Sequence, residues 1–240
     1  MRVEELILME TPDYVVVNKP SGLLTIPDRH DGELQSLRGI LQKQYGEIFV
    51  VHRLDKDTSG IILFARHAEA HKYFSQLFET RGVSKFYQGL VTGQVVPPKG
   101  SILEPIIEHP TIKGKMATAR KGKASHTDYE VLEDFGTYSL VKMQIHTGRT
   151  HQIRVHMKHI GNPIVMDEMY GKAKPVLLSD IKKKFKLGKF TEEERPLLNR
   201  LALHAWRLEF DDMQGQAQVV EAPLPKDMQA VMTQLRKHGK

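Results

Sequence analysis

Short apolar runs separated by turn residues recur along the chain. Residues 6–9 and 14–17 are two strand-length runs split by Thr11-Pro12-Asp13. Leu34, Leu37, Leu41 and Tyr45 recur at helical spacing, with Gly46 placed as a stop. The apolar runs 48–51 and 61–65 predict strands on either side of a polar loop. Residues 68–81 carry Phe74, Leu77 and Phe78 in a helical pattern that ends at Gly82. Strands are predicted again over 86–91, 127–132 and 138–145. Ile153, Met157 and Ile160 then repeat helically ahead of Gly161 and Pro163, and 201–210 reads as a late strand. There is no regular βαβ rhythm, so the pattern predicts an α+β protein with a largely antiparallel sheet. Without internal repeats or a low-complexity linker, residues 1–240 are expected to form one domain. The stretch 172–199, basic first and then acidic at Glu192-Glu193-Glu194, is a candidate insertion.

Composition narrows the class. A 40% hydrophobic chain with 27% charged residues can bury a core, which excludes disorder as the main state. There is no apolar run long enough to span a membrane and no convincing signal peptide, so a cytoplasmic protein without a membrane partner is expected. With no cysteine, disulfides, thiol catalysis and cysteine-bound metals drop out. The net charge of +6 is compatible with a nucleic-acid partner. Lys113, Lys115, Arg120, Lys121 and Lys123 form one basic cluster, and Lys182, Lys183, Lys184, Lys186 and Lys189 a second. Either run is equally consistent with an ordinary solvated face.

Three polar segments could carry chemistry. The densest runs from His52 through Arg53, Asp55, Lys56, Asp57, Thr58 and Ser59 to Gly60, between two apolar runs, where a strand–loop–strand arrangement would present it at a sheet edge. A plain hydrogen-bonded turn is the bland alternative. Asp55 and Asp57 make a poor glycosidase pair, because alternate residues on an extended segment point apart, and the run lacks the acids of a calcium loop. The second segment is 146–156. His146, His151, His156 and His159 suggest a metal, but only His156 and His159 are helical neighbours and no nearby carboxylate completes a set, so no metal is expected. Arg154, at the edge of the apolar stripe, would need an anionic partner if buried. In the third segment, 85–93, alternation puts Tyr87, Gly89 and Val91 on one strand face, with Gly89 leaving space beside the tyrosine ring.

Taken together, these segments resemble the RluA/RluD-type family of RNA pseudouridine synthases over residues 13–223. The resemblance rests on Asn18-Lys19-Pro20-Ser21-Gly22-Leu23-Leu24, the 52–60 loop, Lys85-Phe86-Tyr87, residues 147–154, residues 167–171 and Leu201-Ala202-Leu203-His204-Ala205, in the family's order. It implies a mixed, mostly antiparallel sheet flanked by helices and loops, with a central active-site cleft. It also implies isomerisation of uridine in ribosomal or transfer RNA, with no cofactor. By motif position Asp55 matches the catalytic aspartate, Tyr87 the active-site tyrosine and Arg154 the arginine that pairs with the aspartate. Arg53 matches an arginine able to fill the place of a displaced nucleotide. Arg149 and Lys19 are further candidates for substrate contacts, while His204 matches a signature position with no assigned chemistry. Gly89 stands where the family usually has alanine, a change expected to enlarge the pocket. The chain begins almost at the first motif, so an N-terminal domain like ribosomal protein S4 is expected to be absent, and a monomer is expected. An inactive RNA-binding protein and a nucleoside hydrolase are the rivals. The first has no need of Asp55, Tyr87 and Arg154 together, and the second needs a water-activating carboxylate that only Asp57 could supply.

Overall fold

A computed structural model describes residues 3–28, 34–186 and 193–238. A short 3-10 turn precedes β1 (Ile7–Glu10) and β2 (Tyr14–Lys19). There follow α1 (Leu37–Tyr45), β3 (Phe49–Val50), β4 (Ser59–Ala65), α2 (Ala68–Glu79) and β5 (Ser84–Thr92). Next come β6 (Lys99–Ile102), β7 (Ile106–Glu108), β8 (Met116–Thr118), β9 (Thr127–Asp134) and β10 (Tyr138–Ile145). The chain ends with α3 (Gln152–His159), α4 (Leu178–Ile181), β11 (Leu203–Asp211), β12 (Ala217–Glu221) and α5 (Lys226–His238). These elements form two compact units, 1–87 with 204–223, and 88–203 with 224–240.

In the first unit β1, β2 and β4 pair antiparallel, β4 pairs parallel with β11, and β12 returns antiparallel to β11. This mixed sheet bears out the α+β reading. The first four residues of β2 and all seven of β4 are buried. Such continuous burial belongs to a strand covered on both faces. Tyr14 packs edge-on against Phe74 and Phe210, at centroid distances of 5.3 and 5.4 Å, and Val16, Leu63 and Leu208 complete that core.

Helix ends follow local chemistry. The helix predicted from Leu34 starts at Leu37, because Ser36 Oγ accepts the Gly39 N–H as an N-cap, and Leu34 stays exposed. Gly46, at φ +76°, ends it as expected. In α2 the left-handed residue is Arg81, at φ 63°, rather than Gly82. The Arg81 and Gly82 N–H groups close onto the Phe78 and Leu77 carbonyls, so a two-bond cap stops the helix with an arginine in the place glycine usually takes. The space beside Gly82 is taken by Leu77 Cδ1.

His52 leaves β3 and turns inward. Its ring stacks on Phe78 at 4.4 Å, and its Nε2 accepts the Leu63 N–H at 3.0 Å. Burial, and then the charge of Lys85, push the imidazole down to about 3.

In the second unit β6, β9 and β10 form an antiparallel meander, and β7 and β8 a separate hairpin. His156 of α3 is fully buried, its ring nitrogens meeting Thr127 Oγ1 and the Glu104 carbonyl at 2.9 Å each. Helix α5 buries Met228, Val231, Met232 and Leu235 and is pinned by Arg200 to Asp227. The stretch 172–199 is closed at its base by backbone bonds between the buried residues Val176 and Leu198. Lys189 and Glu192, part of its basic and acidic runs, lie outside the described residues. Among the described residues no helix is long and apolar enough to cross a membrane.

His52 should make stability pH-dependent. Its depressed folded pKa means that the unfolded chain takes up the proton first, so its contribution is full above about pH 6.5 and is lost as pH falls toward 3. Between neutral pH and about pH 5 the loss should reach about 2 kcal/mol. Urea titrations of wild type and His52→Gln at the two pH values measure it. Equal pH dependence in both would remove His52 as the cause.

Candidate active site

The 52–60 loop is a tight structure held from below. Lys19, with no solvent exposure, donates from Nζ to the carbonyls of Pro20 at 3.0 Å, Leu23 at 2.8 Å and Lys56 at 2.8 Å. Thr25 Oγ1 donates to the Leu54 carbonyl and accepts its N–H, Gly22 N–H donates to the Lys56 carbonyl, and Ser21 Oγ donates to the Asp57 carbonyl. The Thr58 N–H closes a turn on the Asp55 carbonyl. Leu54 is thereby buried, Asp55 half-buried, and Arg53, Lys56 and Asp57 exposed. Gly60 ends the loop at φ +115° with its backbone against β11. A Cβ there would lie 2.1 Å from the Ala205 carbonyl oxygen, so only glycine fits. One residue earlier, Ser59 Oγ meets His204 Nδ1 at 2.9 Å, which gives the buried His204 a structural task.

Tyr87 is 8% exposed. Burial first, and then the negative charge of Asp55, raise its pKa well above that of a free phenol. Two facts follow. Tyr87 lies close enough to feel the Asp55 carboxylate, and it holds its proton at neutral pH. The space beside Gly89 is filled by Met143 Cε and Ile164 Cδ1, at 2.9 and 3.2 Å from where a Cβ would stand, so it is packed core and not an enlarged pocket.

In the second unit the 147–154 motif is organised by Gln152. Its Oε1 accepts from Thr147 Oγ1 at 2.7 Å and the Arg149 N–H at 3.1 Å, and its Nε2 donates to the His126 carbonyl and Thr127 Oγ1. Arg149 is half-buried and donates from Nε to the Ala124 carbonyl. Arg154 is buried, and its Nε and Nη2 grip Asp167 Oδ2 and Oδ1 at 2.7 and 2.9 Å. Asp167 is fully buried, and its Oδ1 also accepts the Met169 and Tyr170 N–H groups. The Tyr170 ring stacks with the guanidinium at 5.1 Å, and its hydroxyl bonds His151 Nδ1. The sequence pattern does not pair Arg154 with Asp167. The aspartate lies 13 positions further on and reads there only as the start of a motif.

The four histidines considered for a metal are not gathered. His151 meets Tyr170, His156 is in the core, and His159 meets Thr118. His146 instead faces His126 and Asp128 across the strand ladder, two residues the sequence pattern did not single out.

Comparison with known proteins places this arrangement. The family model for RNA pseudouridylate synthase matches residues 13–159. The ribosomal large subunit pseudouridine synthase D of Nitrosomonas europaea is 35% identical over 236 residues, covering 96% of this chain and 65% of that protein. Its counterpart in Pseudomonas aeruginosa is 36% identical, covering 98% and 72%. A solved structure, human RNA pseudouridylate synthase domain containing 4, superposes with a TM-score of 0.75 at 27% identity and covers 98% of this chain and 94% of that one. The chain belongs to the RNA pseudouridylate synthase family. It spans about two thirds of the length of the Nitrosomonas relative.

Removing one charge from the buried pair should be costly. Asp167→Asn keeps an acceptor for Met169 and Tyr170 but removes the carboxylate that grips Nε and Nη2 of the buried Arg154, so a loss of about 3 kcal/mol is expected in urea unfolding. A change below about 0.5 kcal/mol would show that the pair does not hold this segment.

Proposed function

We propose that this chain isomerises uridine to pseudouridine in RNA, with ribosomal RNA as the favoured substrate, and that residues 1–240 work as one catalytic domain. The observation that carries the reading is Asp55, half-buried on a loop pinned by Lys19 and close enough to Tyr87 to shift its pKa, in a member of this family. The relatives named for the ribosomal large subunit support the choice of RNA. Transfer RNA stays within the proposal as the second substrate class.

The reaction breaks the N1–C1′ bond, turns the uracil, joins C5 to C1′ and moves a proton from C5 to N1. Asp55 is the proposed catalytic carboxylate, either attacking C1′ or taking the 2′ proton in a glycal route. Arg154 is its proposed partner by motif position, and the grip of Asp167 on Nε and Nη2 would fix the plane of that guanidinium. Tyr87 is the proposed stacking face for the base, since its raised pKa disfavours the phenolate a general base would need. Arg53 and Arg149 are proposed to contact the RNA. Lys19 serves as a positioning residue, because its ammonium is spent on three carbonyls beneath the loop.

Mapping pseudouridine in ribosomal and transfer RNA from cells with and without the gene tests the reading. Loss of one or a few sites, restored by wild type and not by Asp55→Asn, is expected. Full restoration by Asp55→Asn would sink the catalytic assignment, and no change at any site would overturn the activity.

The hairpin of β7 and β8 and the segment after it carry Lys113, Lys121 and Lys123 on the surface and Lys115 half-buried. Replacing all four by Gln should weaken RNA binding and flatten its salt dependence by about 0.7–0.9 log unit per lost phosphate contact. An unchanged slope would make them merely solvated.

A further inference from the structure

His126, Asp128 and His146 meet on the face of the β6–β9–β10 meander, and none of them has a part in the isomerisation proposed above. His126 stands one residue before β9, so alternation along the extended chain puts it on the same side as Asp128. His146 stands one residue after β10. The pairing of Ile145 with Thr127, and the bond from the His146 N–H to the His126 carbonyl, bring the two histidines abreast. From the third strand Ser101, in register with Asp128, donates to Asp128 Oδ1 at 2.5 Å.

The side chains converge. His126 Nε2 lies 2.9 Å from Asp128 Oδ1 and His146 Nε2 lies 2.7 Å from Oδ2. The two rings stack at 4.2 Å, and the three donor atoms all lie within 4.8 Å of one another. Side-chain exposures of 34–39% leave the cluster open to an ion from solvent on one side. Burial alone would raise the Asp128 pKa, but the hydrogen bonds from Ser101, His146 and His126 outweigh it and hold the carboxyl at about 2. The geometry thus sets one carboxylate, oriented by Ser101, against two imidazole nitrogens.

We propose that His126, Asp128 and His146 form a binding site for a divalent first-row transition-metal ion, Zn²⁺ being the best fit. Two imidazole nitrogens and one carboxylate oxygen are the donor set such ions take with water in the remaining position. One carboxylate is too few for Ca²⁺ or Mg²⁺, which demand oxygen ligands. Metal–ligand bonds of about 2.0–2.1 Å in tetrahedral geometry set donors roughly 3.3 Å apart. The histidines now meet different oxygens of Asp128, at 2.9 and 2.7 Å, and all three donor atoms lie within 4.8 Å, so side-chain rotations of the two rings and the carboxylate would bring them to that spacing. Ser101 is the outer partner that would orient the carboxylate. The site also adjoins the 147–154 motif, since Thr147 Oγ1 accepts the His126 N–H and Gln152 donates to the His126 carbonyl. A bound ion would staple together the strand ends that present this motif.

The test is calorimetric titration of Zn²⁺ into the full chain, free of any affinity tag and stripped with a chelator. One ion per chain is expected, with a rise in melting temperature as zinc is added. Asp128→Asn and the pair His126→Gln with His146→Gln should each weaken binding at least about tenfold and abolish that rise. His109→Gln, a control among the 12 histidines, should leave binding unchanged. If the variants unfold, Co²⁺ added to wild type gives an independent reading, since it should shift the ring NMR signals of His126 and His146 ahead of the other histidines. Absence of binding, undiminished binding in the double variant, loss of binding in the control, or cobalt shifts centred on other histidines would each overturn the proposal.

Discussion

Lys19 Nζ, fully buried, is shared among the carbonyls of Pro20, Leu23 and Lys56, and the geometry around Asp55 depends on it. A buried ammonium is costly unless its donors are matched. Three carbonyls at 2.8–3.0 Å match its three protons, so the backbone of the turn after β2, at Pro20 and Leu23, and of the loop at Lys56 must turn its oxygens inward. That requirement brings the 19–25 segment under the 52–60 loop, where Thr25, Gly22 and Ser21 add their own bonds to Leu54, Lys56 and Asp57. Gly60 then lets the chain pass flush against Ala205 into β4. Asp55 is thus fixed by main-chain geometry on both sides of its own position, not by a long flexible side chain.

The second unit uses the inverse device. There the buried charge is an anion, Asp167, and the groups that satisfy it are the Arg154 fork and two N–H groups of its own turn. Bidentate geometry fixes the guanidinium in direction as well as position, which a lysine could not do. Gln152, two residues earlier on the same helix, ties the 147–149 turn to the start of β9. Residues 147–154 are therefore a hydrogen-bonded block in which motif residues hold one another.

Much of this was legible where one element decides it. The strand Tyr138–Ile145 has its predicted bounds, because its burial and the turn before it are both written locally. The loop between β3 and β4 was likewise visible as polar residues between apolar runs. What the pattern hides are partners set by register. Asp128 reads as one acid among many until β9 and β10 pair and place it beside His146. Lys19 reads as a motif residue and a candidate for substrate contact, since nothing in the sequence says that three carbonyls will converge on it. The helix Lys226–His238 is different. Met228, Val231, Met232 and Leu235 carry its period plainly, a local signal that lies beyond the last strand of the pattern described above.

The coupling between Asp55 and Tyr87 bears on the proposed chemistry. Two effects raise the Tyr87 pKa, burial first and the Asp55 charge second. Burial is constant through the reaction, whereas the charge is not. If Asp55 attacks C1′ the carboxylate becomes a neutral ester, and if it takes the 2′ proton it becomes a neutral acid. In either route the carboxylate is discharged at the stage when the base has been cut free, and its hold on the phenol proton vanishes with it. Joining C5 to C1′ expels the ester as a carboxylate or returns the 2′ proton, so in either route the Asp55 charge is restored before the C5 proton leaves. In the proposed chemistry the ring is therefore a protonated stacking face both when the uridine is bound and when the C5 proton leaves, which favours stacking over a base role for Tyr87.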